Sequence, residues 1–271
     1  MNSCVHLPTT QAFVHEPPPA LATRSVQIWV IGAGGTGSAL LPRLMQLHQT
    51  LLRLGHPGGL SVSVMDGDTV SEANIGRQGF YPQDVGQNKA LLSINRLNLC
   101  WGTQWQAIPQ FLQEADWLVG DIVIGCVDTR AARAHIRQAT RAQYYLDSGN
   151  GAKGGQVVLG ETRQASGQVR LPTALDLFPE LGDASLDKTM DTTPSCSVRE
   201  AIHKQALFVN QMMALEMANL LSMLLIDRKL TYHGAFLDIG SGCKTPIGCD
   251  PRVWRNLGWS GDAEPERAAQ K

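Results

Sequence analysis

The apolar positions of the chain fall into two alternating rhythms. "SVQIWVIG", residues 25–32, is an unbroken apolar run ending in glycine, the pattern of a buried parallel strand. From about Gly35 to Leu54 the spacing becomes helical, with Leu40, Leu41, Leu44, Leu47, Leu51 and Leu54 recurring on one side. Pro42 falls in the first turns of this predicted helix, where a missing N–H does least harm. "GHPGG" marks a turn, and "LSVSVMD" reads as a second strand, alternating and β-branched. "GDTVSEANIGRQGFYPQ" has no strong period and reads as a long loop before a helix in "DVGQNKALLSINRLNL". The pattern then predicts a short strand near "TQWQAIP", a weak helix across "FLQEADWLVG", and a buried strand in "DIVIGCVD", residues 121–128. "TRAARAHIRQATRA" is helical, and "QYYLDSG" returns as a strand.

Strand alternating with helix implies an α/β fold with a doubly wound, Rossmann-like, mostly parallel sheet. After Gly149 the pattern changes. "GGQVVLGET" and "GQVRLPT" look like antiparallel strands, and "PELGDASLDKTMDTTPSC" is a polar, turn-rich loop. A long apolar helix and a hairpin across "LTYHGAFLDIGSGCKTPIG" follow, so the sheet gains an antiparallel C-terminal extension. The expected organisation is a Pro-rich N-terminal arm over residues 1–25 and a nucleotide-binding domain over 26–150. Residues 151–258 add the antiparallel strands, crossover loop, long helix and hairpin of the same unit, and 259–271 form a disordered polar tail.

The apolar stretch "ALFVNQMMALEMANLLSMLL", residues 206–225, is interrupted by Asn210, Gln211, Glu216 and Asn219. A glutamate near the centre of a spanning helix is costly, so a core helix is expected and no membrane partner. A net charge of −1 gives no general attraction to nucleic acid. Six scattered cysteines without a C-x-x-C pair, and an N-terminus with neither a basic start nor an apolar run, point to a cytoplasmic protein.

Gly32, Gly34 and Gly37 form G-x-G-x-x-G between a predicted strand and a predicted helix. The first glycine permits a tight turn, the second a close phosphate, the third close helix–strand packing. The helix start supplies free N–H groups and a positive dipole end. Asp66, at the end of the second strand, can accept hydrogen bonds from ribose hydroxyls of either NAD or ATP. Asp68 follows as a loop cap or a second polar group. The long loop then presents Asn74, Arg77 and Gln78 together, and Lys89 follows on the next helix. Arg77 and Lys89 can reach one polyphosphate from two directions, Arg through a planar fork and Lys as a point charge. Asp128 ends a strand at the carboxyl edge of the sheet, placed either to hold Mg²⁺ beside a triphosphate or to cap the helix after it. Cys196 precedes the long helix, where a helix start lowers a thiol pKa and where Arg199 and His203 stand near in sequence. Cys100 and Cys126 lie on apolar faces and read as core. His135 and His233 read as structural or exposed.

"GAGGTGS", "MDGDTVSEANIGRQ", "DVGQNKA" and "CVDTRAAR" together resemble the ThiF/MoeB and ubiquitin-activating superfamily over roughly Val26 to Thr140. "PSCSVREAIHKQALFVNQMMALEMANLL" and "NLGW" resemble one branch, the ThiF-family proteins of PRTRC cassettes on plasmids and mobile elements. The resemblance implies ATP-dependent adenylation of the C-terminal carboxylate of a ubiquitin-like or sulfur-carrier protein, usually by a homodimer, with a conjugating-enzyme-like partner possible downstream. By motif position, Gly34 and Gly35 approach phosphate, Asp66 binds ribose, and Arg77 and Lys89 steady the phosphates. Asn74 and Gln78 line the pocket, Asp128 binds Mg²⁺, and Cys196 can accept the acyl group as a thioester. Two departures stand out. Many relatives bind zinc on paired C-x-x-C motifs, which this chain lacks, so no zinc is expected. Many also supply an arginine from an N-terminal helix, where this chain is Pro-rich and Arg24 lies close to the first strand. Two other readings remain: an NAD(P)- or FAD-dependent oxidoreductase, which leaves Arg77, Lys89 and Asp128 without roles, and a non-catalytic nucleotide-binding scaffold.

Overall fold

A computed structural model describes residues 12–163, 169–187 and 205–261. Eight strands form one sheet: β1 (Val26–Ile31), β2 (Leu60–Met65), β3 (Gln106–Ile108), β4 (Ile122–Gly125), β5 (Tyr144–Asn150), β6 (Gly154–Glu161), β7 (Tyr232–Asp238) and β8 (Cys243–Gly248). Their order is β3-β2-β1-β4-β5-β6-β7-β8. The first five in that order run parallel, and β6, β7 and β8 are antiparallel. This is the expected doubly wound sheet with its antiparallel extension. The chain winds outward from β1 to β2 and β3, then returns to place β4 on the other side of β1. A crevice therefore opens above the carboxyl ends of β1 and β4, where open α/β sheets bind ligands.

Alternation along the strands sorts the core between the two sheet faces. Ile122, Ile124 and Tyr144 join one cluster, whereas Val123 and Tyr145 join the other. On the first face lie α1 (Gly35–Arg53) and α2 (Lys89–Trp101), with a later helix, here α5 (Val209–Ser222), packed against α1. Leu40, Leu41 and Leu44 meet Met213, Met217 and Leu220 there without solvent contact. Burying each such side chain contributes about 1.5–3 kcal/mol. The second face is covered by α3 (Arg130–Ala139), which inserts Ile136. A four-residue helix, α4 (Ala174–Leu177), and a C-terminal helix, α6 (Pro251–Asn256), complete the described chain.

Val209–Asp227 has the length and composition of a membrane span, but it lies against α1 and the sheet. Its Glu216 is buried and paired with Lys244 at 2.6 Å. It is a core helix of the α/β unit.

Several local expectations change. "FLQEADWLVG" forms turns and an isolated bridge at Leu118, not a helix. Asp116 there accepts the Gln113 N–H, a local turn bond that competes with helix. Of the expected strand "GQVRLPT", residues 167 and 168 lie outside the described residues and 169–173 form no strand; Leu171 makes one ladder-like contact with Glu161, and α4 follows at once. Pro42 is the eighth residue of α1, well inside it, so the Ser38 carbonyl loses its usual donor. Cys100 is exposed rather than core. The arm residues Phe13 and His15 hydrogen-bond to Cys249 and Leu230, and Leu21 is buried. Trp259 packs edge-on against Trp254, with ring centroids 5.3 Å apart.

Candidate functional site

The glycine loop is built by close approaches. Gly32 has φ +96°, and a Cβ there would fall 2.5 Å from the Cys126 carbonyl oxygen. A Cβ on Gly37 would fall 2.0 Å from the Gly32 carbonyl oxygen, so this glycine lets α1 fold back onto the turn. Gly34 faces open space. Gly35 lies beneath the Asn210 amide, which a Cβ would approach to 2.5 Å. Gly34 also caps α1 without a side-chain bond, leaving N–H groups of the helix start free for an anion. Asp66 closes the loop: its carboxylate accepts the N–H of Ala33 at 2.6 Å and of Asp68 at 2.8 Å. Burial holds the Asp66 carboxyl above its ordinary pKa, against the opposing pull of these two bonds.

The loop borders a cavity of about 840 Å³ at the crevice above β1 and β4. Of the sequence-derived site residues, Gly32, Gly34, Gly35, Asp66, Asp68, Arg77, Gln78, Lys89 and Asp128 line it. Lys89 is buried, with Nζ 3.0 Å from Asp68. Arg77 makes one long contact, 3.4 Å, to Gln205. Asp128 is exposed; the cap of α3 is Thr129, whose hydroxyl accepts the Ala132 N–H at 3.2 Å. The capping alternative for Asp128 therefore falls away, and its carboxylate faces the cavity without a partner among the described residues. Gly37 and Asn74 do not reach the cavity. Asn74 closes a capping box on a short 3-10 turn by accepting the Ser71 N–H at 2.9 Å. Cys196, Arg199 and His203 lie outside the described residues. Arg24 is bound in a two-pronged ion pair to Asp121, with contacts of 2.6 and 2.7 Å.

The folded chain adds residues that no local pattern announced. Phe111 and Leu112 bring an apolar wall beside Asp66. Asn150, at the end of β5, donates to Thr36 at 2.7 Å and to Asn210 at 2.6 Å. Asn210 in turn donates to Gln205 at 3.2 Å. This amide chain joins α1, β5 and α5 to the Arg77 loop. Arg133 reaches the cavity from α3 and pairs with buried Asp147 at 3.0 Å. Cys126, in the cavity wall, is a protonated thiol because burial pushes its pKa up.

Among the described residues no three His, Cys, Asp or Glu side chains gather as a metal cage. A divalent ion at Asp128 would complete its shell with ligand oxygens and water. That donor set suits Mg²⁺, which takes one or two carboxylates plus substrate phosphates.

The ThiF family model matches residues 14–241. The chain belongs to the ThiF family. No curated protein matches it in sequence. Among solved structures, this ThiF-family chain is similar to selenomethionine PaaA, at 14% identity over 83% of this chain, with a TM-score of 0.56. It spans 64% of the PaaA chain. It is also similar to E. coli MccB solved with ATP, at 14% identity and a TM-score of 0.53, covering 86% of this chain and 67% of that one. At this identity each likeness establishes a shared fold.

Proposed function

We propose that the protein activates a carboxylate by ATP-dependent adenylation, and that the substrate is the C-terminus of a ubiquitin-like or sulfur-carrier protein. The observation that carries this reading is the composition of one cavity wall. A helix start without a side-chain cap, Arg77, Lys89 and an Asp128 unpartnered among the described residues converge there on a space large enough for a nucleotide. In the reaction a carboxylate oxygen attacks the α-phosphorus of ATP, the α–β bridging P–O bond breaks, and pyrophosphate leaves. The N–H groups at Gly34 and Gly35 hold phosphate oxygens, and Arg77 and Lys89 meet the charge that builds on the departing pyrophosphate. Asp128 would hold Mg²⁺, which would supply neutralisation of the phosphate charge. Asp66 keeps the loop shut and offers its rim to the ribose. Phe111 and Leu112 give the base an apolar wall.

Family membership and the ATP held by MccB support the reading. The PRTRC branch, a homodimer, a cytoplasmic setting, a conjugating-enzyme-like partner and a thioester on Cys196 are finer parts of the same proposal. They rest on the sequence resemblance. One observation favours a second reading, a nucleotide-binding scaffold without turnover: Arg24 is engaged by Asp121 and is not free to complete a site. An NAD(P)- or FAD-dependent oxidoreductase leaves the cationic wall without a task. Exchange of labelled pyrophosphate into ATP, dependent on a carrier protein, tests the proposal. Thermal protection by NAD(H) and not by ATP–Mg²⁺ contradicts it.

A further inference from the structure

The parallel ladder between β4 and β5 ends at the Gly125–Asp147 pair. Beyond it the two chains carry the cavity edge, Val127 and Asp128 on one and Ser148 and Gly149 on the other. Arg133 ties them together. It is 4% exposed. Its Nη2 donates to the Val127 carbonyl at 3.2 Å and to the Ser148 carbonyl at 3.1 Å. Its Nε donates to Asp147 Oδ1 at 3.0 Å, and the Tyr145 hydroxyl donates to the same oxygen at 2.9 Å.

A buried ion pair of this kind adds little net stability over an apolar pair of the same volume. This one also leaves Asp147 Oδ2 buried without a partner among the described residues. What it supplies is placement. The residue after the held carbonyl is Asp128, and the residue after that caps α3. The Asp128 backbone is thus fixed from both sides, while its side chain stays free toward the cavity.

We infer that Arg133 is a positioning residue for Mg²⁺–nucleotide binding, setting the Asp128 carboxylate through the Val127 carbonyl. This rests on the adenylation reading of the cavity. The planar fork is essential to it, since lysine offers one point charge and cannot span Asp147 and two carbonyls.

The test measures ATP affinity by calorimetry, once with Mg²⁺ and once with EDTA, for the wild type, Asp128→Asn, Arg133→Lys and the double variant. The wild type gains affinity from Mg²⁺, and Asp128→Asn loses that gain. Arg133→Lys is expected to lose about tenfold or more of the Mg²⁺-dependent affinity, the scale of groups that orient metal ligands. Its affinity in EDTA stays at the wild-type value, and the double variant is no weaker than Asp128→Asn. A general structural role would instead lower both affinities together. That result, or additive losses in the double variant, overturns the inference. Tyr145→Phe keeps both charges and removes one hydrogen bond from Asp147, so it serves if Arg133→Lys does not fold. It should show a smaller loss confined to the Mg²⁺ condition, and an equal loss in both conditions counts against the inference. A wild type without any Mg²⁺ gain, or an Asp128→Asn variant that keeps it, overturns the underlying reading as well, and is distinguishable from failure at Arg133 alone.

Discussion

The carboxylate of Asp66 holds the glycine loop closed by accepting the Ala33 N–H at 2.6 Å across 33 residues of sequence. The sequence suggests a ribose ligand at Asp66, and the geometry makes its carboxylate a structural part of the loop. Asp66→Ala removes the acceptor for two backbone N–H groups. The expected cost is about 1–3 kcal/mol of folding stability, with a parallel loss of ATP affinity. Urea denaturation and ligand titration check this together. Unchanged stability with weakened ATP binding would reduce Asp66 to a ligand contact.

His233 provides a pH prediction. Its ring is fully buried, Nδ1 donates to the Leu159 carbonyl at 2.9 Å, and Nε2 has no partner among the described residues. Burial lowers its pKa from 6.5 to about 4. A histidine depressed in the folded state contributes stability that is fully present above its unfolded pKa and is lost as pH falls toward the folded value. Between pH 6.5 and about 4 the wild type should lose about 3 kcal/mol from this group. His233→Gln should flatten that acid limb in urea melts taken across the range, whatever its stability at neutral pH.

The second and third glycines of the motif, Gly34 and Gly37, predict opposite phenotypes. A methyl on Gly37 has nowhere to go, with the Gly32 carbonyl 2.0 Å away, so Gly37→Ala should fold poorly or with a displaced α1. Among the described residues nothing lies within 4 Å of a methyl on Gly34, which borders the cavity. Gly34→Ala should keep a wild-type melting curve and bind ATP more weakly, because the methyl occupies phosphate space. Thermal melts with and without nucleotide separate the two.

Arg24→Ala should lower the melting temperature and leave ATP affinity unchanged, since its guanidinium is spent on Asp121 at the edge of β4. A loss of nucleotide affinity without a loss of stability would instead place Arg24 in the site.

The glycine loop and its flanking strand and helix were legible because each depends on residues adjacent in sequence. Gly32, Gly37 and the apolar run before them constrain one turn. Asn74 misled for the opposite reason. Its neighbours Arg77 and Gln78 face the cavity, but a short 3-10 turn directs Asn74 back onto Ser71. Arg133, Asn150 and the pair Gln205 and Asn210 come from three separate parts of the chain, and the fold brings them together. No periodicity marks them. Helix α6 did carry a local signal, Asp250 as cap and Pro251 at the first position, but six residues are too few to establish a helical period.

Carrier-dependent exchange of pyrophosphate into ATP tests the central claim most directly. The purified protein, Mg²⁺ and small ubiquitin-like proteins from its genetic neighbourhood are the reactants, with Arg77→Ala and Asp128→Ala alongside. Exchange that requires the carrier and vanishes in both variants is the predicted result. Tight ATP–Mg²⁺ binding with no exchange from any carrier would contradict adenylation and leave a nucleotide-binding scaffold in its place.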